Sequence, residues 1–512
     1  MPKRHYITTA IDYPNAPPHM GHVLEKVLAD VVARWWRLSG REVRFQVGTD
    51  EHGLKIQQTA KREGIEPSTL VERNVPLFKD VYDRLDISYD VFIRTTDRKR
   101  HWPTVVALWK ALRASGALEK RTYKGLYCVG CEKFVTKKDL VDGKCPDHGA
   151  APQEVSEENW FFLLAREQDW LRDLLTREDG YRIEPAFRAN ETLALLDQGL
   201  EDVSFSRPVS SLSWGIPVPD EEGQTMYVWC DALTNYLSGV GGFVDSALQK
   251  QWWDDAEVTH VIGKDIARFH ALIWPAMLKT AGLPVPPPHR LLIHGFITSD
   301  GQKMSKSLGN VVDPKEVMEQ YGVDALRFFL MYEIPVGNDG DFSRKRFDEM
   351  YDAKLRNQLG NLLNRVLVMI RKEGEDLTIP GSAEDAQRAV EGWSTFATTM
   401  ERFEIHHAIQ QAFHLVDVLN VGFDRAKPWT MKGEEKAALL ARFAESLRHV
   451  ALLLLPFIPK TAQQISEQLG VPYADRMLEK TFTIRPEWKT WGGCKEWKRI
   501  GEPSILFAPV EA

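Results

Sequence analysis

The sequence predicts a split α/β protein: a parallel-sheet domain interrupted by an inserted module and followed by an all-α helix bundle. Three observations lead to this. Up to about residue 115, strand-like and helix-like stretches alternate as βαβ units do around a parallel sheet. From about 116 to 220 that alternation yields to short segments rich in Lys, Gly and Cys, expected to be irregular, before strand and helix signals resume. From about 345 onward, four long amphipathic segments follow one another with short polar loops between them.

Taken in order, RHYITTAID is β-prone. The following VLEKVLADVVARWWRLSG places Val23, Val27, Ala29, Val31, Val32 and Trp35 on a helical period that stops at Gly40. Between them PPHMGHVLEK sets His19, Gly21 and His22 at a strand-to-helix junction, where unpaired N–H groups and a positive dipole end favour an anion. REVRFQVGTDEHG reads as a second strand ending in a polar loop. LKIQQTAKREG and STLVERNVPLFKDVYDRLD read as helices, YDVFIRTT as a third strand and WPTVVALWKALRASG as an amphipathic helix. Beyond the insertion, MYVWCDAL, the strand EVTHVIG, the helix DIARFHALIWPAMLKTAG and the strand HRLLIHGFI supply elements that the first half lacks. The bundle segments are DAKLRNQLGNLLNRVLVMIRK, AQRAVEGWSTFATTMERF, IHHAIQQAFHLVDVLNVGFDRAK and EEKAALLARFAESLRHVALLLL. The final forty or so residues are expected to form a tail that packs back on the body.

Composition narrows the function. With 512 residues, a hydrophobic fraction of 43%, a charged fraction of 27% and sixteen tryptophans, the chain is globular and multi-domain, with no low-complexity tract. The most apolar run, Val450 to Pro459, is too short and too interrupted by proline to span a bilayer. The N-terminus enters a strand at once, so a cytoplasmic protein without a leader is expected. Five cysteines, three of them clustered, do not make a secreted disulfide framework. A net charge of −7 does not by itself announce a nucleic-acid binder, although 65 Lys and Arg allow local basic patches.

Four patterns carry chemistry. Paired imidazoles beside a glycine at a helix start can donate to oxygens that gain charge during a displacement. Cys128, Cys131, Cys145 and His148 form C-x2-C and C-x2-H pairs thirteen residues apart, a thiolate and imidazole set suited to closed tetrahedral zinc. DGQKMSKSLGN puts Lys303 and Lys306 on a basic loop able to lie over phosphates; alone it would read as a solvated surface loop. Asn357, Asn361 and Arg365 recur every four residues at about 6 Å per step, and Trp429 after Pro428 offers a stacking plane.

HMGH and KMSKS together resemble the two signatures of the class I aminoacyl-tRNA synthetases. AIDYPNAPPHMGH, GTDEHG, the Cys/His knuckle, VWCDALTNY, VIGKDIARFHALIWPAML, NQLGNLLNR and AKPW are similar, in order, to landmarks of its methionyl-tRNA synthetase branch over nearly the whole chain. The resemblance implies a Rossmann-like catalytic domain (1–115 and 221–285) split by a connective insertion with a zinc knuckle (116–220). After it come a stem-contact region with the lysine loop (286–344), a helical anticodon-binding domain (345–475) and a tail (476–512). It implies methionyl-adenylate formation from L-methionine and ATP, then transfer to tRNA(Met), with structural Zn2+ and with Mg2+ accompanying ATP.

By position, it implies ATP contacts from His19, Gly21, His22, Gly263, Asp265, Lys303 and Lys306, the histidines and lysines being the catalytic set. Ile11, Tyr13, Asp50, Trp229, Ala232, Leu233, Tyr236, Ile266 and His270 would surround methionine. Aromatic edges favour a flexible thioether, which accepts a weak hydrogen bond from Tyr236 or His270. Asn357, Asn361, Arg365, Pro428 and Trp429 would read the CAU anticodon. Asp12 and Leu233 depart from the usual residues beside the pocket. The isoleucine, valine and leucine enzymes carry a large editing domain, whereas here about 280 residues separate His22 from Lys303. A small adenylyltransferase would lack the bundle and the lysine loop, and a non-catalytic tRNA-binding protein would show eroded signatures. A monomer is expected.

Overall fold

A computed structural model describes residues 4–128, 133–135, 140–146, 149–299, 301–303, 312–373, 378–494, 497 and 500–510. The chain gathers into two compact units, one of Met1–Pro18, Arg44–Val81 and Tyr89–Ile293, the other of His19–Val43, Tyr82–Ser88 and His294–Ala512.

The first unit is built on a six-stranded sheet of β1 (Arg4–Thr9), β2 (Glu42–Thr49), β3 (Val91–Arg94), β4 (Arg182–Glu184), β5 (Glu257–Gly263) and β6 (Arg290–His294). The spatial order is β3-β2-β1-β5-β6-β4, with β2–β3, β1–β5 and β6–β4 parallel. β1 and β5 are buried almost throughout, as strands covered on both faces must be, and they bury His5, Thr8, Thr9, Thr259 and His260 together with their apolar residues. Tyr6, Trp253 and Trp274 meet edge to face in this core, at 6.2 and 5.9 Å between centroids. Each such ring removes on the order of 200 Å² from water, roughly 5 kcal/mol before the entropy of ordering.

Residues 116–220, expected to be irregular, are largely ordered. Lys133–Val135, Leu118–Cys128, Gln153–Phe162 and Val203–Ser204 form a four-stranded antiparallel sheet, and Arg182–Glu184 joins the edge of the main sheet as β4. The two long strands pair from Leu118↔Phe162 to Tyr127↔Gln153. They escape detection because an apolar alternation develops only where one face is buried, and here Lys120, Arg121 and Lys124 oppose a strand carrying Glu154, Glu157 and Glu158. Lys120 Nζ lies 2.9 Å from Glu158 and 2.6 Å from Glu221, while Arg207 grips Glu157 through two nitrogens at 2.6 and 2.8 Å.

The second unit holds the helix Met20–Leu38, a small sheet of Gln302–Lys303, Ile297–Ser299 and Gly340–Phe342, and the helices Pro314–Tyr321 through Pro459–Gln468. Met20–Leu38 is buried nearly all round, charged residues included. Fully buried Asp30 receives Arg34 at 2.8 Å, Arg327 at 2.7 Å, and the amide and hydroxyl of Ser88 at 2.7 and 2.6 Å. Arg327, itself fully buried, also donates to the carbonyls of Phe457, Leu85 and Pro456 at 2.7, 3.2 and 3.2 Å. At the far end of the helix, Glu401 accepts from Trp35 and from both terminal nitrogens of Arg41. The tail packs back on this unit: the Ile484 amide donates to the Leu38 carbonyl, and Arg448 donates to that of Trp488. Among the described residues no helix is long and apolar enough to cross a membrane.

Burial alone would raise the pKa of Glu445, but hydrogen bonds from Arg448 and His449 reverse this and bring it down from 4.5 to about 2. A depressed carboxylate stabilises the fold above its unfolded pKa, and that stabilisation is lost as pH falls through the folded value. The shift corresponds to roughly 3 kcal/mol. Glu445→Gln is therefore expected to lower the unfolding temperature at pH 7, and the gap to the parent protein should close as both are titrated from pH 4.5 toward 2.

Candidate active site

The predicted methionine contacts, with Gly263 and Asp265, lie in the first unit. Ile11, Tyr13, Asp50, Gly263, Asp265, Ile266 and His270 lie at or beyond the carboxyl ends of parallel strands, where open α/β sheets hold ligands, and Trp229, Ala232, Leu233 and Tyr236 come from the helices Val228–Leu233 and Asn235–Ser238. β1 runs into Ala10, whose amide bonds the Val261 carbonyl, and then into Ile11, Asp12 and Tyr13. Asp12 bridges to the end of β2, its amide on the Gly48 carbonyl and its own carbonyl taking the Asp50 amide at 2.9 Å. Gly48 is needed there because a Cβ would stand 2.3 Å from the Ile93 carbonyl and 2.9 Å from Ile11. β5 ends at buried Gly263, and Asp265 sits exposed in the short turn Lys264–Ile266 that follows.

Asp50 is 4% exposed and is flanked by pinned neighbours. Glu51, fully buried, accepts from Thr49, Arg94 and Thr96, while its carbonyl takes the Trp214 indole at 2.6 Å. His52 reaches Asp231 at 2.6 Å. Leu54 packs in a cluster with Tyr127, Leu212, Tyr227 and Val228, against which both Tyr13 and Trp229 rest. Trp229 lies flat on Phe269, 3.5 Å between centroids and 10° between planes. Leu233 and Tyr236 share a core with Trp229, Ile266 and Phe269, and Ala232 is buried in the same helix as Leu233.

Tyr236 Oη stands 2.6 Å from His270 Nε2, and His270 Nδ1 stands 3.0 Å from the Ile266 carbonyl. A carbonyl only accepts, so the ring hydrogen sits on Nδ1, and Nε2 takes the hydroxyl hydrogen of Tyr236. A thioether that drew on that hydrogen would have to open this bond; contact with the polarizable rings requires no such change. His270 belongs to a single π-helical turn, Phe269–Ile273, within a segment the sequence predicts as plain helix.

His19, Gly21, His22 and Lys303 lie in the second unit. His19 is the N-cap of helix Met20–Leu38: its Nδ1 accepts from the Gly21 amide at 3.1 Å, and His22 Nδ1 accepts from the His19 amide at 3.0 Å. Each acceptor Nδ1 places the neutral ring's hydrogen on Nε2. The rings stack at 3.8 Å. A methyl at Gly21 would meet the His19 ring at 3.0 Å and Ile297 at 3.9 Å, so the glycine leaves room for the folded-back imidazole. Burial, then the charges of His19 and Lys26, hold His22 well below the ordinary imidazole range. Glu25, one turn on, bonds His294 at 3.1 Å and Lys26 at 2.7 Å.

Ile297, beside Gly21, opens the strand Ile297–Ser299, which pairs with Gln302–Lys303 through Thr298↔Lys303. Asp341 anchors that hairpin, accepting from Thr298 at 2.6 Å and from the Gly301 amide at 2.7 Å. Lys306 lies outside the described residues.

Residues 5–156 and 148–367 match the family described as tRNA synthetases class I (M). A methionine–tRNA ligase of Brucella suis is 41% identical, with 93% of each chain covered. The chain belongs to the class I methionyl-tRNA synthetases. That of Caldanaerobacter subterraneus subsp. tengcongensis is 39% identical over all of this chain and 80% of its own. Mycobacterium tuberculosis methionyl-tRNA synthetase in complex with methionyl-adenylate superposes with a TM-score of 0.89 at 35% identity, covering 99% of this chain and 100% of the other. Its apo form gives 0.82 at 32% identity, covering 100% and 99%. Members of this synthetase family are ATP-dependent ligases, and the parallel sheet followed by helices is their architecture.

The other sequence-predicted synthetase residues are placed as follows. Arg365 and Trp429 come together: the guanidinium lies 6.0 Å from the indole centroid and 4.5 Å from that of Phe423, and bonds Asp424 at 2.6 Å. Trp429 is 50% exposed in the turn Pro428–Thr430, with Pro428 buried. Asn357 and Asn361 are exposed, but Asn357 lies in a π-helical stretch, Tyr351–Gly360, so the expected straight four-residue spacing bends there. Cys128 and Cys145 are both 2% exposed and share a small cluster with Val135; Cys131 and His148 lie outside the described residues. Among the described residues no group of three or more His, Cys, Asp or Glu side chains is arranged so that it could hold a metal ion. Sequence reading missed Phe269, Glu51 and the Asp231 carboxylate with its two histidines, although Phe269 adjoins His270 and GTDEHG contains Glu51 and His52.

Proposed function

We propose that the protein activates L-methionine with ATP, forming methionyl-adenylate and pyrophosphate, and then transfers methionine to the 3′-terminal adenosine of tRNA(Met). The supporting observation is local to the second unit. Gly21 of the first signature abuts Ile297 of the hairpin that leads through Lys303 into the second, although about 280 residues separate the signatures in sequence.

In the first step the methionine carboxylate attacks the α-phosphorus and pyrophosphate departs, so the site acts by positioning and by fixed positive charge. His19 and His22 donate through Nε2 to the triphosphate, Lys303 and Lys306 stabilise the leaving pyrophosphate, and Gly21, Gly263 and Asp265 accept the adenosine. Mg2+ accompanying ATP would offset phosphate charge. Asp50 and the backbone at Ile11 hold the ammonium, while Tyr13, Trp229, Ala232, Leu233, Tyr236, Ile266 and His270 enclose the side chain. In the second step the terminal ribose hydroxyl attacks the adenylate carbonyl and AMP leaves.

Residues 1–115 and 221–285 form the catalytic domain in this reading, 116–220 the insertion, 286–344 the stem-contact region, 345–475 the anticodon-binding domain and 476–512 the tail. Cys128, Cys131, Cys145 and His148 would hold one structural zinc; two buried thiols in one small cluster are the chemistry such an ion requires. Methionine-dependent exchange of pyrophosphate into ATP tests the activity, and greater exchange with leucine would overturn it. Trp429→Ala is expected to leave that exchange unchanged and to reduce tRNA charging about tenfold or more, the loss of one base stack. Parallel assays of exchange and aminoacylation check the split.

A further inference from the structure

Asp231 is 1% exposed and serves two buried histidines at once: Oδ2 lies 2.6 Å from His52 Nδ1, and Oδ1 lies 2.6 Å from His101 Nε2. His101 Nδ1 continues to Ser238 Oγ at 2.9 Å. Burial opposes ionisation of Asp231, but the two histidines outweigh it and keep the carboxyl below its ordinary range.

The sequence positions of these groups carry the argument. His52 is two residues beyond Asp50, Asp231 two beyond Trp229, and Ser238 two beyond Tyr236. His101 opens the helix Trp102–Ala114. One carboxylate thus ties the loop after β2 to the helical segments Val228–Leu233 and Asn235–Ser238, and both to a third helix. Replacing a buried ion pair with apolar side chains of similar volume is often neutral or stabilising, so a buried acid bonded on both oxygens is suited to fixing geometry more than to adding stability.

Building on the methionine-activating reading, we propose that Asp231 is a positioning residue for the amino acid. By holding His52 and His101 it sets the Asp50 carboxylate at one fixed separation from the Trp229–Tyr236 wall, so that ammonium and thioether are recognised together only on a side chain of methionine's length.

The test is pyrophosphate exchange with the full chain, reading KM for methionine and for ATP separately, beside the unfolding temperature. In Asp231→Asn one oxygen becomes an amide donor, so only one histidine keeps its bond. KM for methionine is expected to rise about tenfold or more while KM for ATP moves less than about twofold, and the preference for methionine over ethionine and norvaline, whose side chains are one atom longer and one shorter, should shrink. His52 supplies a conservative pair: His52→Asn places an amide donor near the Nδ1 position and should keep KM for methionine near the parent value, whereas His52→Leu should raise it. Should Asp231→Asn not accumulate as folded protein, the His52 pair decides alone.

Lowered unfolding temperature with both KM values unchanged, or equal rises in both, would reduce Asp231 to a structural residue and overturn the proposal. Absence of methionine-dependent exchange in the parent protein would instead overturn the reading on which it rests.

Discussion

Replacing His22 with alanine is expected to slow methionine-dependent pyrophosphate exchange about 100- to 1000-fold, the loss typical when one preorganised donor to developing charge is removed. The substitution removes two things that can be separated. Nδ1 caps the His19 amide, so alanine also costs about 1 kcal/mol of helix stability. His22→Asn retains an acceptor near the Nδ1 position and should preserve the unfolding temperature while losing the rate; His22→Gln retains a donor near the Nε2 position and should recover part of the rate. Burial and the neighbouring charges of His19 and Lys26 hold the pKa of His22 well below the ordinary imidazole value, so its neutral form persists to lower pH than that of an unburied histidine. No step near 6.5 from this group is expected in the pH profile of exchange. Parent-like exchange in His22→Ala would remove the histidine from the site.

Arg327→Met is expected to destabilise the protein by about 3–5 kcal/mol, the effect of leaving a buried carboxylate short of its partner. The loss has two parts: Asp30 keeps Arg34 and Ser88 but loses Arg327, and the carbonyls of Leu85, Pro456 and Phe457 lose their donor inside the core. Adding Asp30→Asn removes the charge that was stranded, so the double variant should be more stable than the sum of the single effects by 1 kcal/mol or more. Denaturant midpoints of the four proteins in this cycle measure the coupling; strict additivity would mean that Asp30 and Arg327 do not interact.

The parts legible in sequence were those whose chemistry is local. HMGH could be placed at a strand-to-helix junction because RHYITT is β-prone and VLEKVLADVV has a helical period, and the junction is where it was expected. The strand EVTHVIG and the bundle helices were equally clear, being long and strongly patterned. The antiparallel ladder of Leu118–Cys128 with Gln153–Phe162 was not, since its charges alternate where apolar residues usually do. The π-helical turns at Phe269–Ile273 and Tyr351–Gly360 insert a residue without any compositional mark, so the faces presented by His270 and Asn357 could not be read from a 3.6-residue period. The Asp231 clamp joins residues 52, 101 and 231 through three separate elements, and no local pattern encodes such a meeting.

The buried charges of helix Met20–Leu38 bear on the order of events at the ribosome. Asp30 finds Arg327, and Arg41, just beyond the helix, finds Glu401, only after about 300 and 360 further residues have been made. At roughly 5–20 residues per second, that is a wait of about 15 seconds to more than a minute. Throughout it the nascent helix must keep those side chains hydrated and cannot settle into its final surroundings. The helix Met20–Leu38 is therefore synthesised well before it can be locked, an exception to folding that follows the direction of translation.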